Sequence, residues 1–279
     1  MPELPEVETI RRGLEREIVG KRIKTVDVTG ARSVRRHKSR KEFVARLEGT
    51  KVKAVKRRGK YLLLELDSGD VLVAHLRMSG QLRRATAREP LEKHTHVVFT
   101  FTQGGQLRFV DPRTFGELFV TTPDALTAEL PELADLGFDP VDEPVTWVHF
   151  GERLLQRRTT KLKALLIDQS FIAGIGNIYS DEILWEAGLR YDRIPGSLTS
   201  MEIRRLYRAV VEVLHEAIKH RGSTLSDQQY VDLAGKPGNY QDFHNVYDRD
   251  KQPCHRCRHA ITKARFSQRS TYFCPQCQI

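Results

Sequence analysis

The sequence opens with Met1-Pro2-Glu3-Leu4-Pro5-Glu6-Val7-Glu8, a stretch that predicts a helix preceded by a reactive terminus. Removal of Met1, which a small second residue generally permits, would make Pro2 a terminal secondary amine. An α-amino group titrates near ~7.7–8, so much more of it is neutral at pH 7 than of a lysine. A neutral amine can attack an aldehyde carbon and form an iminium ion, while the adjacent Glu3 carboxyl donates or accepts protons.

The residues that follow predict a helix that holds this terminus in place. Pro5 suits the first helical turn, where its missing N–H costs nothing, and Glu6 and Glu8 complement the positive end of the helix dipole. Apolar residues recur at three- and four-residue steps and form one face: Val7, Ile10, Leu14 and Ile18. Taken alone, the stretch also fits a capped surface helix with a frayed end. The choice between this alternative and a reactive terminus therefore depends on the rest of the chain.

The composition predicts about two domains and a polyanionic partner. The 279 residues include 46 lysines and arginines against 36 acidic residues, a net charge of +10. That excess favours nucleic acid as the partner over the alternative of a merely basic soluble protein. The acidic N-terminus has no apolar stretch behind it, and no apolar run approaches the ~20 residues of a membrane span. We therefore expect a cytoplasmic protein without a membrane partner.

The first half of the chain predicts a β-rich domain that carries the N-terminal helix. Alternating segments predict strands, with hairpins around residues 67–70 and 103–105: Ile23–Val28, Tyr61–Leu66, Val71–Leu76, Val97–Phe101 and Gln106–Val110. Two sheets packed as a sandwich would bury their apolar sides. Basic residues cluster at 32–38 and 56–60, where a solvated surface is the ordinary explanation. Lys60 differs, because Gly59 lets the backbone bend and aim it.

Two loops carry bulky apolar residues that core packing does not require there. Met78 lies in the segment Arg77-Met78-Ser79-Gly80, and Phe115 lies in Asp111-Pro112-Arg113-Thr114-Phe115-Gly116. Either both side chains fold back into the core, or they project and wedge into a base stack. The sequence leaves these alternatives open.

The second half of the chain predicts helices after a linker near Phe138–Pro144. Apolar periodicity predicts helices at 149–158, 161–169, 178–187 and 199–220. The two glycines of Ala173–Asn177 predict a tight turn at a helix N-terminus, where free N–H groups can bind a phosphate. Asn177 would cap that helix or donate to the phosphate. Residues 222–242 are polar and glycine-rich, which predicts a loop that is functional or disordered.

All four cysteines lie near the C-terminus, in two Cys-x2-Cys pairs separated by sixteen residues: Cys254, Cys257, Cys274 and Cys277. This spacing predicts one zinc ion, and its role is structural because four thiolates leave no open position. The segment between the pairs predicts a hairpin with Arg269 near its tip.

These segments together resemble the bacterial formamidopyrimidine-DNA glycosylases over the whole chain. The resemblance is carried by Pro2–Glu8, Arg77–Gly80, Lys93–His96, Asp111–Gly116, Gly174–Tyr179 and the cysteine ribbon. It implies an α+β fold with an N-terminal helix and β-sandwich domain at 1–138 and a linker at 139–146. A helix-two-turn-helix domain with a lesion-covering loop would follow at 147–242, and a zinc ribbon at 243–279. It implies a monomer in the bacterial cytoplasm, associated with the nucleoid through its function, that binds double-stranded DNA across a cleft.

The resemblance also implies an activity and its catalytic residues. The activity is excision of 8-oxoguanine and formamidopyrimidines, followed by cleavage of the abasic strand through β,δ-elimination. Pro2 would be the Schiff-base nucleophile and Glu3 the general acid. Lys60 and Arg269 would contact phosphates and donate protons for β- and δ-elimination, respectively. A retained Met1 would block the nucleophile.

The implied DNA contacts come from both halves of the chain. Met78, Arg113 and Phe115 would fill the gap left by the flipped nucleotide. The other implied DNA-binding residues are His94, Arg158, Asn177 and Lys163. One alternative is an endonuclease VIII-like glycosylase for oxidised pyrimidines, which the loop-tip trio and the N-terminal motif disfavour. The other is a non-catalytic zinc-ribbon DNA-binding protein, in which Pro2 would have no task.

Overall fold

The structure is a computed structural model that describes residues 1–143 and 145–279. Pro144, which ends the predicted linker segment, lies outside the described residues. The chain forms two compact units, Met1–Ala134 with His220–Asn239 and Asp135–Lys219 with Tyr240–Ile279. None of the helices formed by the described residues combines the length and the apolarity that a membrane crossing requires.

The first unit, all of it described, combines helices with two antiparallel sheets. Its helices are α1 (Leu4–Ile18), α2 (Arg40–Ala45), α3 (Pro123–Glu129) and α4 (Pro131–Ala134). Its strands are β1 (Ile23–Val28), β2 (Val52–Arg58), β3 (Tyr61–Leu66), β4 (Val71–His75), β5 (Gln81–Ala85), β6 (Thr95–Phe101), β7 (Gln106–Val110) and β8 (Glu117–Thr121). The four-stranded sheets have the orders β1-β6-β7-β5 and β2-β3-β4-β8. The predicted hairpins are confirmed as β3–β4 and β6–β7.

One hydrophobic core lies between the sheets and α1, as the sandwich prediction requires. The predicted apolar face of α1 is confirmed, because Val7, Ile10, Leu14 and Ile18 are buried in this core with residues from both sheets. Pro5 occupies the first helical turn as expected, whereas Glu8 lies beyond that turn. The Glu8 carboxylate instead faces β2, with its Oε2 3.1 Å from Nε of Arg57.

The segment His220–Asn239 packs with the first unit, although the sequence grouped it with the helical domain at 147–242. Tyr230 and Leu233 are buried in the same core as α1. The main-chain oxygen of Leu233 also accepts the N–H of Arg84 at 2.8 Å. Packing therefore anchors much of the loop that the sequence predicted to be functional or disordered.

The second unit contains the predicted helices and the ribbon hairpin. Its longer elements among the described residues are α5 (Trp147–Leu155), α6 (Leu162–Ile167), α7 (Asn177–Ala187), α8 (Ser200–Lys219), β9 (Thr262–Phe266) and β10 (Arg269–Phe273). The amphipathic α8 buries one face and packs against α7 and α5. Strands β9 and β10 pair antiparallel, with Arg269 opposite Phe266 at the turn. The predicted hairpin between the cysteine pairs is confirmed.

Candidate active site and nucleic-acid interface

A capping box fixes the chain terminus at the start of α1. Glu3 is the N-cap residue, and its N–H donates to Oε2 of Glu6 at 2.8 Å. Pro2, Glu3 and Glu6 are all buried, whereas Met1 is 43% exposed. Reciprocal capping of this kind sets the direction in which the chain enters a helix. With Met1 attached, the Pro2 nitrogen belongs to a peptide bond, so loss of Met1 is the step that creates the amine.

The second oxygen of Glu6 holds the start of the predicted lesion-covering loop. Glu6 Oε1 accepts the main-chain N–H of Ser223 at 2.7 Å, across a buried contact. A single carboxylate therefore joins the residue beside Pro2 to the first residues of the loop.

Lys60 lies in the tight turn between β2 and β3. Gly59 before it has a positive φ of 54°, which agrees with the predicted bend. Arg57 fastens this turn to α1, because its Nε contacts Glu8 and its Nη1 donates to the Gly59 carbonyl at 3.2 Å. Lys60 itself is buried. The structure thus ties the two catalytic candidates of the first unit, the terminus and Lys60, to the same helix.

His75 is a neutral residue beneath the Met78 loop. Burial, together with the positive charges of Arg77 and Lys60, lowers the pKa of His75 to about 3. Its Nδ1 accepts the N–H of Arg77 at 3.0 Å. In a neutral imidazole the proton then sits on Nε2.

The loop-tip residues project from the first unit. Met78 is 40% exposed and Phe115 is 41% exposed, so the alternative in which they fold into the core is wrong. The Arg113 guanidinium lies 5.1 Å from the centre of the Phe115 ring. The loops that carry them are joined by a hydrogen bond from Ser79 Oγ to Asp111 Oδ1 at 2.5 Å. The structure therefore brings the predicted gap-filling trio together.

The two histidines near β6 differ in surroundings. His94 is exposed, and its main-chain oxygen accepts the N–H of Asp111 at 3.0 Å. His96 Nε2 lies 2.8 Å from the Asp111 carbonyl oxygen. His94 is thus next to the loop of Arg113.

In the second unit, the turn before α7 meets the hairpin tip. Gly176 occupies the N-cap position, so the capping alternative for Asn177 is wrong. Asn177 Nδ2 instead donates to the Ser270 carbonyl at 3.0 Å. The bond places Asn177 beside exposed Arg269. The Gly176 backbone, with φ of −134° and ψ of −149°, departs from helical geometry, as is usual for an N-cap residue.

Arg158 lies outside the helix in which the sequence placed it. Helix α5 ends at Leu155, and Arg158 follows in an exposed turn. Its carbonyl oxygen accepts the N–H of Gly196 at 3.0 Å, which fixes the backbone and leaves the exposed side chain available to a ligand.

Lys163 is a predicted DNA contact that the structure places deep in the interior. It is 0% exposed, and its Nζ lies 2.6 Å from Oδ1 of Asp181 on α7. Asp181 also accepts the hydroxyl of Thr271 at 2.6 Å and the N–H of Tyr272 at 3.0 Å. Lys163 therefore joins α6, α7 and β10 as part of a buried network. We correct its assignment from a DNA contact to an internal one, because a charge this buried must be paired inside the protein.

The four cysteines converge as a structural zinc site requires. Their sulfurs all lie within 4.8 Å of one another, with 3.9 Å between Cys254 and Cys277 and 3.5 Å between Cys257 and Cys274. Tetrahedral coordination with Zn–S bonds of ~2.3 Å implies S···S separations of roughly 3.8 Å. The indole N–H of Trp185 donates to Cys254 Sγ at 3.4 Å and favours the thiolate that binds metal. The residues therefore fit one structural zinc ion.

Several buried acidic residues organise these sites and received no role from the sequence. Asp111 and Asp181 each accept bonds from more than one chain segment. Glu182 accepts the main-chain N–H groups of Asn245, Val246 and Tyr247 at 2.8–2.9 Å. The adjacent acidic pair Asp181-Glu182 in the middle of α7 was the available signal. Asp111 offered none beyond its position at a strand end.

Comparison with known proteins accounts for most of the chain. Three family models match it: the formamidopyrimidine-DNA glycosylase N-terminal domain at residues 1–118, the H2TH domain of that glycosylase at 136–229, and the zinc finger found in FPG and IleRS at 251–279. The formamidopyrimidine-DNA glycosylase of Pelotomaculum thermopropionicum is 44% identical over 278 residues, covering 100% of this chain and 99% of that protein. The corresponding protein of Salinispora arenicola is 46% identical over 281 residues, covering 100% and 96%.

Solved structures of similar proteins extend the likeness to the fold. Lactococcus lactis Fpg in complex with DNA containing an abasic site is 36% identical with a TM-score of 0.89, and the match covers 99% of both chains. MutM in complex with DNA containing carbocyclic 8-oxo-G is 37% identical with a TM-score of 0.88 and the same coverage. Thermus thermophilus MutM is 42% identical with a TM-score of 0.87, and the match covers 99% of this chain and 98% of that one.

Proposed function

The chain belongs to the formamidopyrimidine-DNA glycosylase family, and from that premise we propose that Pro2 is the nucleophile with which it excises oxidised purines. The enzyme is a bifunctional DNA glycosylase and abasic-site lyase of base-excision repair. The observation that supports the site assignment is the buried, capped position of Pro2 and Glu3 at the start of α1. A reactive group held in this way loses little freedom when the substrate binds.

The reaction follows from the chemistry of a terminal secondary amine. After Met1 is removed, the Pro2 nitrogen attacks C1′ of the flipped nucleotide, the bond from C1′ to the base breaks, and the base leaves with a proton. Glu3 is the general acid of this step. The C1′–O4′ bond then breaks and O4′ takes up a proton, so the opened sugar is joined to Pro2 as an iminium ion. This ion acts as an electron sink, so loss of a C2′ proton expels the 3′ phosphate, and a second elimination expels the 5′ phosphate. Lys60 and Arg269 donate protons in these two eliminations and contact phosphates.

The projecting side chains of the first unit replace the extruded nucleotide. Met78 and Phe115 fill space or wedge, because neither can recognise a hydrogen-bonding edge. Arg113 carries a planar fork of donors and can read the base opposite the lesion. Cytosine presents acceptors at O2 and N3, whereas adenine presents only N1 beside a donor amino group. A contact of this kind gives about ten- to a hundredfold discrimination. The preference for cytosine avoids mutation, because excision of 8-oxoguanine opposite a misinserted adenine would make the mutation permanent.

The remaining DNA contacts are phosphate contacts. His94 and Arg158 are exposed, and Asn177 lies beside Arg269 at the hairpin tip. Double-stranded DNA with an oxidised purine is the partner, consistent with the net charge of +10. We further infer that the enzyme acts as a monomer in the bacterial cytoplasm, in association with the nucleoid. Oxidised pyrimidines, the substrate of the related endonuclease VIII class, are the less favoured alternative.

Reductive trapping tests the nucleophile directly. Borohydride added during reaction with 8-oxoguanine DNA should reduce the iminium ion and leave a covalent protein–DNA adduct. Sequencing of the adduct should place the DNA on the N-terminal proline of a chain that has lost Met1. Attachment to a lysine would refute the assignment of Pro2, and the absence of any adduct would favour the non-catalytic alternative.

A further inference from the structure

Three residues beside the proposed DNA contacts have left-handed backbone conformations. They are Arg77 with φ of 53°, His94 with φ of 67° and Thr114 with φ of 55°. Arg77 precedes Met78, and Thr114 stands between Arg113 and Phe115. Side-chain-bearing residues adopt this conformation only when their surroundings enforce it.

Asp111 is in contact with all three segments. Its Oδ1 accepts the hydroxyl of Ser79 at 2.5 Å and the N–H of Arg113 at 3.2 Å, while its Oδ2 accepts the N–H of Gly116 at 2.7 Å. Its main chain donates to His94 O at 3.0 Å and accepts the N–H of Thr114 at 3.3 Å. Asp111 and Ser79 are both 0% exposed. One buried carboxylate therefore holds the Met78 loop and both ends of the Arg113–Phe115 loop.

The two loops also rest on one aromatic ring. A Cβ at Gly80 would lie 3.1 Å from Phe109 Cε2, and a Cβ at Gly116 would lie 2.7 Å from Phe109 Cζ. Phe109 is fully buried, so neither loop can move towards it. Glu117 lies 2.8 Å from Nη2 of Arg35, which also donates to the Phe115 carbonyl at 3.4 Å. This contact restrains the Arg113–Phe115 loop further.

We propose that Ser79 and Asp111 are positioning residues that lock the two loops into one body, so that insertion of Met78 and reading of the opposite base by Arg113 occur together. The proposal rests on the proposed function of these loops. Both residues are buried and act only through Met78, Arg113 and Phe115. Its distinctive consequence is that a change in the Met78 loop alters the choice of opposite base, although no residue of the Arg113 loop has changed.

Ser79→Ala is the sharpest test, because it removes one hydrogen bond to Asp111 and leaves the two backbone bonds in place. Single-turnover excision rates would be measured at saturating enzyme on 8-oxoguanine paired with cytosine and with adenine. We expect excision opposite cytosine to slow by about ten- to a hundredfold, the range for a buried hydrogen bond to a charged group. Excision opposite adenine should change much less. The ratio of the excision rate opposite cytosine to the rate opposite adenine should therefore fall towards the ratio measured for Arg113→Ala. The double variant Ser79→Ala/Arg113→Ala should narrow it no further.

Thr50→Val provides a matched control. Thr50 is buried in the same unit, and its hydroxyl donates to the Leu47 carbonyl at 2.6 Å, away from the loops. This variant should lose stability and keep the wild-type rate ratio. Asp111→Asn, which keeps the shape and removes one acceptor, makes the same test if Ser79→Ala does not fold.

Four outcomes separate the hypotheses. Equal slowing on both substrates, or a double variant whose effects simply add, would overturn the coupling of the loops. A cytosine-to-adenine rate ratio in Ser79→Ala equal to that of the wild type would also overturn the coupling of the loops. If the wild-type enzyme itself forms no borohydride adduct, the proposed nucleophile fails first, and that result is independent of the ratio.

Discussion

Glu3 has two tasks at the residue scale, and one substitution can separate them. Its carboxyl is the proposed general acid, and it also forms the capping box with Glu6. Glutamine keeps the size and the hydrogen-bonding oxygen of the side chain but cannot supply an acidic proton. Alanine would remove both functions and destabilise α1 by about 1 kcal/mol.

We therefore expect Glu3→Gln to slow base excision by about 10²- to 10⁴-fold, the usual contribution of a general acid. Lesion binding and thermal stability should stay close to wild type. Single-turnover excision, a binding titration and a melting curve measure the three quantities. Trapping on DNA with a preformed abasic site should persist, since no base has to leave. Wild-type excision by this variant would remove Glu3 from the mechanism.

His75 predicts a pH dependence of stability. Its pKa falls from 6.5 in the unfolded chain to about 3 in the folded one, because burial and the charges of Arg77 and Lys60 oppose protonation. Above pH 6.5 the residue is neutral in both states and costs nothing. As the pH falls below 6.5 the unfolded state binds the proton first, so stability is lost at up to about 1.4 kcal/mol per pH unit until the folded state also protonates.

Urea unfolding of His75→Gln at pH 7, 6 and 5 isolates this contribution. The free energy of unfolding of the wild type should fall more steeply over that range than that of the variant. Subtracting the free energy of unfolding of His75→Gln from that of the wild type at each pH cancels the effects of the other histidines and of the carboxyl groups. Parallel curves would show that His75 titrates normally and is accessible to water.

At the scale of secondary-structure elements, α7 positions the zinc ribbon through hydrogen bonds. Three of its residues form hydrogen bonds with the ribbon or with the chain segment that leads into it. The bonded pairs are Asn177 with Ser270, Asp181 with Thr271, and Glu182 with Val246. Lys163 completes the array from α6. Polar groups buried in this way are costly when one partner is removed, which makes their roles measurable.

Lys163→Met should lower the free energy of unfolding by about 3–5 kcal/mol, because it leaves the Asp181 carboxylate buried without its cation. Lys161→Met is the matched control, since Lys161 is exposed two residues earlier and the change of charge is the same. Chemical denaturation and lesion-DNA affinity should be measured on both variants. Unchanged stability combined with weakened lesion binding in Lys163→Met would restore Lys163 as a direct DNA contact.

Zinc removal should affect the ribbon and spare most of the fold. We expect one zinc per chain in the wild type and none after Cys274→Ser, with loss of DNA binding as the Arg269 hairpin loses its metal anchor. The helices and the sandwich have their own packing and should retain their far-UV circular dichroism. Metal analysis, circular dichroism and a DNA-binding assay report the three results. A metal-free protein with full activity would contradict this.

At the scale of the whole molecule, the net charge of +10 predicts a salt-dependent affinity for DNA. If about five phosphates are neutralised, log affinity should fall with log salt at a slope of roughly −4 to −5. Titrations of lesion DNA at several salt concentrations measure that slope. Replacing one residue proposed to contact a phosphate, such as Arg158, should reduce the magnitude of that slope by about one. A flat response would argue against an extended contact with the DNA backbone.

The sequence alone was sufficient for features that depend on neighbouring residues or on covalent spacing. The apolar face of α1, the β3–β4 hairpin and the four-cysteine site follow from periodicity, turn residues and ligand spacing, all of which are local properties. The candidate nucleophile follows from chain position. The family resemblance supplied the remaining roles, because local patterns do not distinguish a catalytic lysine from a solvated one.

Tertiary structure decided the features that join residues distant along the chain. Glu6 meets Ser223 across 217 positions, Lys163 meets Asp181 across 18, and Ser79 meets Asp111 across 32. No periodicity records such contacts, so the sequence placed Lys163 on DNA and gave Asp111 no role. A buried polar group must find its partner inside the fold, and which partner it finds is set by the packing of whole elements. That packing is why the same residue types serve as surface charges in one place and as internal anchors in another.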